Sequence, residues 1–446
     1  MYDDCPPPNS TPPVATPVSL TGSSAASLLG VLVPSGAGAA PGLRFTLTGT
    51  PAALLVGAVT VIPSTVVLSG VQAFATISLS DTPITPQFAG LRGVRTTNGL
   101  GYFGGVPTVP PPPTPPTGYL NIINLIKGLQ VTTGPYAGVY ETVPNGQGNW
   151  YNGNVALMSI CKYLTIVDLG TYVLPYLDLY INQLNGNGSI SDIQFNSGRA
   201  NTSDATPVDS ANDDNYAATF LSLVRRYLTA SQNWTWYDTN KAKLLIIADN
   251  NILGNRRTNG LVASFQYPRR TSLDVGLLSN NVEDYAGLTD LVSILTERGD
   301  ATSAQRFSTA MPQLSSAVDT LRVATGQFSP GYLAKDSDLV LSSIFYPNVV
   351  SHAYMQASGM SSLSNRFTAN YAYVNANAPG WENCNYDSAP WAVLGLSAAL
   401  QLDTTKANAQ LSIIDGLYTA NPASIGINEL GMYQRIKSVL AGSAPT

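Results

Sequence analysis

The feature that most constrains the fold is an alternation of two kinds of predicted helix after residue 118. Apolar residues recur there with helical spacing, and proline and glycine fall in the gaps. We predict helices near 118–129, 150–165, 171–185, 213–229, 237–254, 283–298, 302–324, 345–358, 362–376, 387–401, 404–420 and 429–440. Every second helix, beginning near 150, is rich in small and apolar residues, whereas the others carry more charge. Buried inner helices alternating with amphipathic outer ones indicate an (α/α)6 toroid over residues 118–446. Pro312 is expected to kink or divide its helix.

The first 117 residues follow other patterns. Residues 1–17 are rich in Pro, Ser and Thr and lack apolar periodicity, which predicts an extended anchoring arm. In residues 18–106 the apolar period changes to two, and short runs are broken by Gly and Pro. This predicts a small antiparallel β-sandwich acting as a docking domain. The prolines of 107–117 predict a stiff polyproline linker of about 30 Å. The fold class is therefore multidomain, β followed by all-α.

The N-terminal region is unusually poor in charge. Charged residues make up 11% of the chain, and those between Asp4 and Lys127 are Arg44, Asp81, Arg92 and Arg95. A free soluble domain normally keeps charges on its surface. We therefore expect this region to be held inside an assembly, and a neutral extracellular surface rich in Ser, Thr and Asn is the alternative.

Composition and motifs exclude several classes of function. The net charge of −5 and the absence of a Lys/Arg cluster argue against nucleic-acid binding. No apolar run reaches the roughly 18–20 residues of a membrane span, and the N-terminus does not have the pattern of a secretory signal. The cysteines Cys5, Cys161 and Cys384 are odd in number and far apart, which predicts no disulfide framework and no metal site. No nucleotide, zinc or serine-hydrolase motif is present, so no cofactor is predicted.

Acidic and aromatic residues recur at or just before the predicted starts of the inner helices. If the inner helices form a ring, these clusters converge on one end of it. Glycoside hydrolysis needs two carboxyl groups, and aromatic faces stack on sugar rings. The candidate catalytic residues are Asp213, Asp214, Glu283, Asp284 and Asp387. The candidate glycan-binding residues are Trp150, Tyr151, Tyr216, Tyr285, Tyr386 and Trp391.

Roles can be assigned within this set. We predict Asp214 or Asp213 as the base and Glu283 as the acid, and the adjacent acidic pairs would raise one another's pKa. The alternative is structural, because Asp is a preferred helix N-cap and aromatic residues often belong to the core. A second alternative is polysaccharide lyase chemistry, with His352 beside Tyr346 or Tyr354 as the base. Arg256-Arg257 or Arg269-Arg270 would then meet an acidic sugar.

Residues 118–446 resemble the six-hairpin glycosidase superfamily. The resemblance lies in the architecture and in three short strings, residues 212–218 (NDDNYAA), 281–288 (NVEDYAGL) and 385–391 (NYDSAPW). The layout of arm, β-domain, proline spacer and sugar-type domain resembles appendage proteins of tailed bacteriophages, such as tail fibres, spikes and decoration proteins. It implies an N-terminal module that docks on the virion and a distal module that meets host glycans.

These observations lead to one hypothesis and two alternatives. The chain is predicted to be a virion appendage whose residues 1–100 bind other virion proteins, in several copies per particle. Its toroid would bind, and in one version cleave, host cell-surface polysaccharide. The alternatives are a non-catalytic virion structural protein with a degenerate toroid, and a free bacterial glycosidase or polysaccharide lyase. The predicted location is the virion, after synthesis in the host cytoplasm.

Overall fold

The structure is a computed structural model that describes five strands before residue 80 by their backbone, and residues 119–196, 204–266, 269, 275–333 and 345–446. The chain divides into two units, Met1–Gly105 and Val106–Thr446. The arm 1–17 and the linker 107–117 lie outside the described residues.

The strands of the first unit are β1 Leu28–Val33, β2 Gly42–Leu47, β3 Val56–Ala58, β4 Val66–Ser69 and β5 Thr76–Ser78. β1 and β2 are antiparallel, but β2 with β4 and β3 with β5 are parallel. The all-antiparallel arrangement expected from the sequence is therefore wrong for these pairs. Each parallel pair skips the strand between its members, and such a crossover can bring the second strand back in the same direction. The packing of a β-sandwich rests on side chains outside the described set and stays a prediction.

The second unit is mostly helical. Its main helices are α1 Ile122–Gly128, α2 Trp150–Ile160, α3 Leu174–Gln183, α4 Asp214–Ser231, α5 Trp234–Ala248, α6 Leu278–Glu297, α7 Ala301–Thr320, α8 Ser351–Ala357, α9 Phe367–Asn377, α10 Ala392–Leu400, α11 Thr404–Ala420 and α12 Ile427–Leu440. Short strands form three antiparallel pairs, β6 Asp192–Gln194 with β7 Thr206–Val208, β8 Val275–Leu277 with β11 Gly331–Leu333, and β9 Arg322–Ala324 with β10 Gln327–Phe328. Among the described helices, none is long and apolar enough to cross a membrane.

The even-numbered helices form a closed ring. Helix α2 packs on α4, α4 on α6, α6 on α8, α8 on α10, α10 on α12, and α12 returns to α2. The odd-numbered helices lie outside, for example α7 against α6 and α11 against α10. The helical toroid predicted from the alternation is confirmed.

Small residues allow the inner helices to approach closely. A Cβ placed on Gly287 of α6 would lie 2.6 Å from the Cα of Ala218 in α4, and one on Gly431 of α12 would lie 2.8 Å from the Cα of Ala156 in α2. Only glycine permits such contact between backbones. The small residues noted in the sequence therefore lie where neighbouring inner helices pack closely together.

Side-chain caps are commoner at the starts of the outer helices than of the inner ones, although the outer helices α3 and α9 have none. The outer helices α1, α5, α7 and α11 start with a side-chain cap from Asn121, Asn233, Asp300 and Asp403. Apart from α2, which Asn149 caps, the inner helices have no side-chain cap of their own. The acidic residues near their starts are thus available for contacts between helices.

Helix α7 runs through Pro312 as one helix, so the prediction that the proline divides it is wrong, and a kink there stays a prediction. The proline lies on the rim of an open groove, where a lost backbone hydrogen bond can be replaced by water. Helix α7 is an outer helix, so the core does not require it to be straight.

Candidate functional site

The N-terminal ends of the inner helices meet at one end of the ring, which we call the mouth. Next to α2, the side-chain amide of Asn149 donates to the Tyr216 hydroxyl of α4 at 2.5 Å. Asn280 of α6 donates to the carboxylate of Asp214 in α4 at 3.1 Å. Glu429 of α12 accepts a hydrogen bond of 2.6 Å from the first backbone N–H of α10. Convergence of the helix starts, inferred from the sequence, is thus present.

Glu283 is the central acid of the mouth. It lies in the second turn of α6, and not at its start as predicted, because the helix begins at Leu278. The Tyr151 hydroxyl donates to Glu283 Oε1 at 2.9 Å, and Asn215 donates to Oε2 at 3.4 Å. Only 6% of Glu283 is exposed, and this burial raises its pKa to about 8. At neutral pH the side chain is therefore mostly a neutral acid.

Arg435 is the cation that acts on Glu283. It lies on α12, is buried, and donates to the carbonyl oxygen of Ala357 at 2.5 Å and toward the sulfur of Met432 at 3.4 Å. Its positive charge opposes the rise in the pKa of Glu283, but burial is the larger effect. Burial also lowers the pKa of Arg435 to about 10.

Asp214 and Asp284 are fully buried behind Glu283. Burial raises the pKa of both carboxyls well above the usual range. The charge of Asp214 adds to the shift of Asp284, and the charges of Asp213 and Glu283 add to the shift of Asp214. Neither has exposed surface to offer a substrate, which is at odds with direct catalytic roles for these two residues. The sequence placed them correctly beside Glu283 but carried no information on their depth.

Glu429 is an acid of the mouth that the sequence analysis missed. It lies in the first turn of α12, is 7% exposed, and burial raises its pKa to about 7. Because α6 and α12 are three positions apart in a ring of six, Glu283 and Glu429 lie on opposite walls. Tyr354 of α8 feels the charge of both. The rule used for the other helix starts would have found Glu429, since the predicted helix began at that residue.

Asp213 is held in a different way. Its carboxylate forms an ion pair with Arg269 and accepts a hydrogen bond of 2.9 Å from the backbone N–H of Gln266. It makes no cap hydrogen bond to α4, so the N-cap interpretation is wrong for this residue. Its partners fix it as a structural link to the loop before α6, at odds with a role as base.

Four stacked aromatic side chains, which we call the aromatic shelf, come from the loop before α10 and from the segment before α8. Trp391 stacks on Tyr346 with ring centroids 4.4 Å apart, and Tyr386 stacks on Phe345 at 4.6 Å. Asp387 is exposed, and its carboxylate accepts from the indole N–H of Trp391 at 2.7 Å. Helix α10 begins at Ala392, five residues later than predicted, so Asp387 orients the shelf and is not a cap of that helix.

The shelf adjoins the acids of the mouth. The Tyr346 hydroxyl hydrogen-bonds with the side chain of Ser279 in α6, and its pKa is raised by burial and by the charges of Glu283 and Asp214. Tyr151, which donates to Glu283, also hydrogen-bonds with Tyr354. In the structure, Glu283 therefore contacts Tyr151 and lies near the aromatic shelf that contains Trp391.

Two of the predicted glycan-binding aromatics belong to the core. Trp150 is completely buried against Tyr176 and Tyr180, with its indole N–H donating to the Ser191 carbonyl at 2.8 Å. Tyr216 is buried and donates to Asp192 at 2.7 Å. Neither presents a face to a ligand, so the structural alternative holds for both.

Asp192 is a second acid that the sequence analysis missed. It accepts from the backbone N–H of Trp150 at 3.1 Å and from Asn149 at 2.9 Å, and burial raises its pKa to about 6. Asp192 does not lie at the start of an inner helix, so the pattern of acids at helix starts could not connect it with the ring.

Tyr285 points away from the mouth. It lines an open groove of about 760 Å³ between α6 and α7, together with Val292, Met311 and Leu363. Glu283 and Tyr285 are two residues apart on a helix and so face different directions. The prediction that Tyr285 shares the site with Tyr151 is at odds with this placement.

His352 is a core residue. Its Nε2 accepts a hydrogen bond of 2.9 Å from the backbone N–H of Phe328, and its ring stacks on Tyr373 at 4.5 Å. Burial lowers its pKa to about 4. A lyase base must be free to take a substrate proton, so this arrangement is at odds with the lyase alternative. Among the described residues, no group of three or more His, Cys, Asp or Glu side chains is arranged to hold a metal ion.

Comparison with known proteins shows similarity in structure only. No protein-family model and no curated protein matches the sequence. A glycosidase variant is 14% identical with a TM-score of 0.50, and the match covers 72% of this chain and 95% of that one. A rhamnosidase from Klebsiella oxytoca with rhamnose bound is 13% identical with a TM-score of 0.45, covering 68% of this chain and 56% of that one. An alpha-amylase from Clostridium perfringens is 8% identical with a TM-score of 0.46, covering 72% and 95%.

These neighbours are all glycosidases by name. At such low identity the match to the glycosidase variant shows a shared fold and nothing finer. The chain therefore has a glycosidase-like helical toroid.

Proposed function

We propose that the toroid binds a carbohydrate at its mouth and hydrolyses a glycosidic bond there, with Glu283 as the proton donor. Glu283 itself carries the proposal. It is a buried carboxyl whose pKa of about 8 keeps it protonated at neutral pH, and the Tyr151 hydroxyl fixes its orientation. A general acid must hold its proton at the working pH and release it to the leaving oxygen.

The base of the pair is assigned to Glu429. With a pKa of about 7 it is ionised in a large fraction of molecules at neutral pH, whereas Glu283 is not. Glycoside hydrolysis requires two carboxyls of different protonation, and Glu283 and Glu429 stand on opposite sides of the ring of inner helices. This assignment replaces Asp213, which forms an ion pair with Arg269, and Asp214, which has no exposed surface.

The aromatic shelf supplies the sugar-binding surface. Tyr386 is 40% exposed and Trp391 is partly exposed, and each is held flat by a stacked neighbour. A rigid aromatic face binds the C–H groups of a sugar ring with little loss of side-chain entropy. The shelf therefore suits a chain of several sugars better than a single small molecule.

The test is cleavage of isolated capsular or lipopolysaccharide glycans, followed as new reducing ends, by the wild type and by Glu283→Gln. We expect the variant to lose activity by roughly 10²–10⁴-fold, the usual contribution of a general acid. Glycan binding, measured by calorimetry, should remain. The matched control is Asp290→Asn on the same helix, whose side chain pairs with Arg226 and should leave cleavage unchanged.

Two results would contradict the proposal. Equal cleavage by wild type and Glu283→Gln would remove Glu283 from the reaction. Glycan binding without cleavage by the wild type would favour a binding-only toroid. The virion location and the docking of residues 1–100 on other virion proteins stay predictions, and incorporation of a chain lacking residues 1–17 into particles tests them.

A further inference from the structure

At the mouth, α6 packs against α4 along one of its faces. Asn280, Asp284 and Gly287 have the spacing of one helix face, and the first and last of them touch α4. Asn280 donates to both carboxylate oxygens of Asp214, at 3.1 and 3.3 Å, and Gly287 lies against the backbone of Ala218. Asp284 therefore lies between two contacts that seal the α4–α6 interface.

The two carboxyls of this interface are not equivalent. Asp214 accepts from the backbone N–H of Asn215 at 2.7 Å as well as from Asn280. Asp284 is 0% exposed, and among the described residues neither of its oxygens has a hydrogen-bond partner. An ionised carboxylate without donors or a cation is very costly in a dry interior. Hydrogen bonds from neutral donors favour the ionised form of Asp214 alone.

We propose that Asp214 and Asp284 hold one proton between them, on Asp284, so that Asp214 carries the single negative charge of the pair. The single negative charge left on Asp214 then disfavours a second charge on the neighbouring Glu283. The pair acts as a positioning unit for the proton donor, and this last step rests on the proposed function.

The charged groups around Asp214 and Asp284 are consistent with one proton bound to this pair. Glu283, on the same helix as Asp284, and Asp213, beside Asp214 on α4, add negative potential. From the segment before α8, Tyr346 lies close enough to sense the charge of Asp214, and from α12, Arg435 acts on Glu283. In the described part of the chain, no ion pair joins either aspartate of the pair to a basic side chain, so a proton is the cation available to them.

The experiment is infrared spectroscopy of the full chain without substrate, following the C=O stretch of protonated carboxyl groups during a pH titration. At pH 7 we expect Asp284→Asn to lose one protonated carboxyl relative to the wild type. The control Asp290→Asn removes an ion-paired carboxylate and should lose none. An unchanged protonated signal in Asp284→Asn would overturn the proposal.

A second variant tests the effect on Glu283. Asp214→Asn removes the negative charge, so the midpoint of Glu283 should fall by about one pH unit. In Asp284→Asn residue 284 stays neutral and Asp214 keeps its charge, so the midpoint of Glu283 should stay where it is. An unchanged midpoint in Asp214→Asn would overturn the positioning role. If that variant does not fold, the protonated signal of Asp284→Asn decides alone.

These readouts are independent of glycan cleavage. If the wild type shows the shared proton but cleaves no glycan, the proposed function fails and the aspartate pair stands. If cleavage depends on Glu283 but the spectra show no loss in Asp284→Asn, the pair fails and the proposed function stands.

Discussion

The two halves of helix α6 carry acidic residues in opposite circumstances. Toward the mouth, Glu283 and Asp284 are buried without an ion pair among the described residues, and their pKa values are raised. Toward the other end of the ring, Asp290 is paired with Arg226 at 2.7 Å and Glu297 with Arg225 at 2.6 Å. Both arginines belong to α4, so the same two helices are joined by neutral acids at one end and by ion pairs at the other.

The comparison shows that the partner, and not the residue type or the helix, decides what a carboxyl does. An ion pair holds two helices together and leaves the acid charged, which suits a structural role. A buried carboxyl without a cation keeps its proton, which suits proton transfer. The acids at the mouth are therefore suited to proton transfer, whereas the ion pairs at the far end hold the two helices together.

The largest expected effect comes from the close contact of α6 with α4 at Gly287, which lies between the two ends of α6. Gly287→Val would place a side chain against the backbone of Ala218, where even a Cβ lies at 2.6 Å. Neither helix can move without opening the ring, so we expect a loss of about 3 kcal/mol in the free energy of unfolding. Urea denaturation measures this loss.

The control is Gly416→Ala in outer helix α11, where a Cβ meets nothing within 4 Å, and the higher helix propensity of alanine should stabilise the protein slightly. Equal effects at the two positions would contradict close packing of the inner ring.

The next effect is the pH dependence of stability. Folding raises the pKa of Glu283 from its ordinary value near 4.5 to about 8. The folded state therefore binds a proton more tightly, and the stabilisation is complete below about pH 4.5 and is lost as the pH rises toward 8. Glu283→Gln cannot ionise, so between pH 5 and 7 its stability should fall less than that of the wild type, by on the order of 2 kcal/mol. Parallel stability curves for the two proteins would show that Glu283 titrates normally.

The smallest effect belongs to the far end. Arg226→Gln should reduce the free energy of unfolding by about 1 kcal/mol, because the pair with Asp290 is only partly buried. The difference between variant and wild type should shrink at high salt, which screens charges near the surface. The effect of Glu283→Gln should not respond to salt, since the buried neutral acid has no charge to screen. A salt-independent loss in Arg226→Gln would mean that packing, and not charge, holds this end.

Several features of the ring were predictable because they depend on local pattern. The alternation of apolar and charged helices identified the inner and outer rings, and the starts of α2 and α4 fell at Trp150 and Asp214 as expected. The starts of α6 and α10 did not, because Leu278 and Ala392 begin those helices. Polar residues outnumber apolar ones in residues 278–282, so their helix is stabilised by the ring and is not signalled by periodicity.

The sequence by itself determined the toroid and brought Asp214, Glu283 and Asp284 to one end of it, since helical periodicity is a local property of the chain. Only the tertiary structure decided which acids are protonated, which are paired and which aromatic faces are open. Glu283 and Tyr151 are 132 residues apart in the chain, and Arg269 reaches Asp213 across 56. The pKa of a carboxyl depends on burial and on neighbours contributed by several helices. No pattern along one helix contains that information.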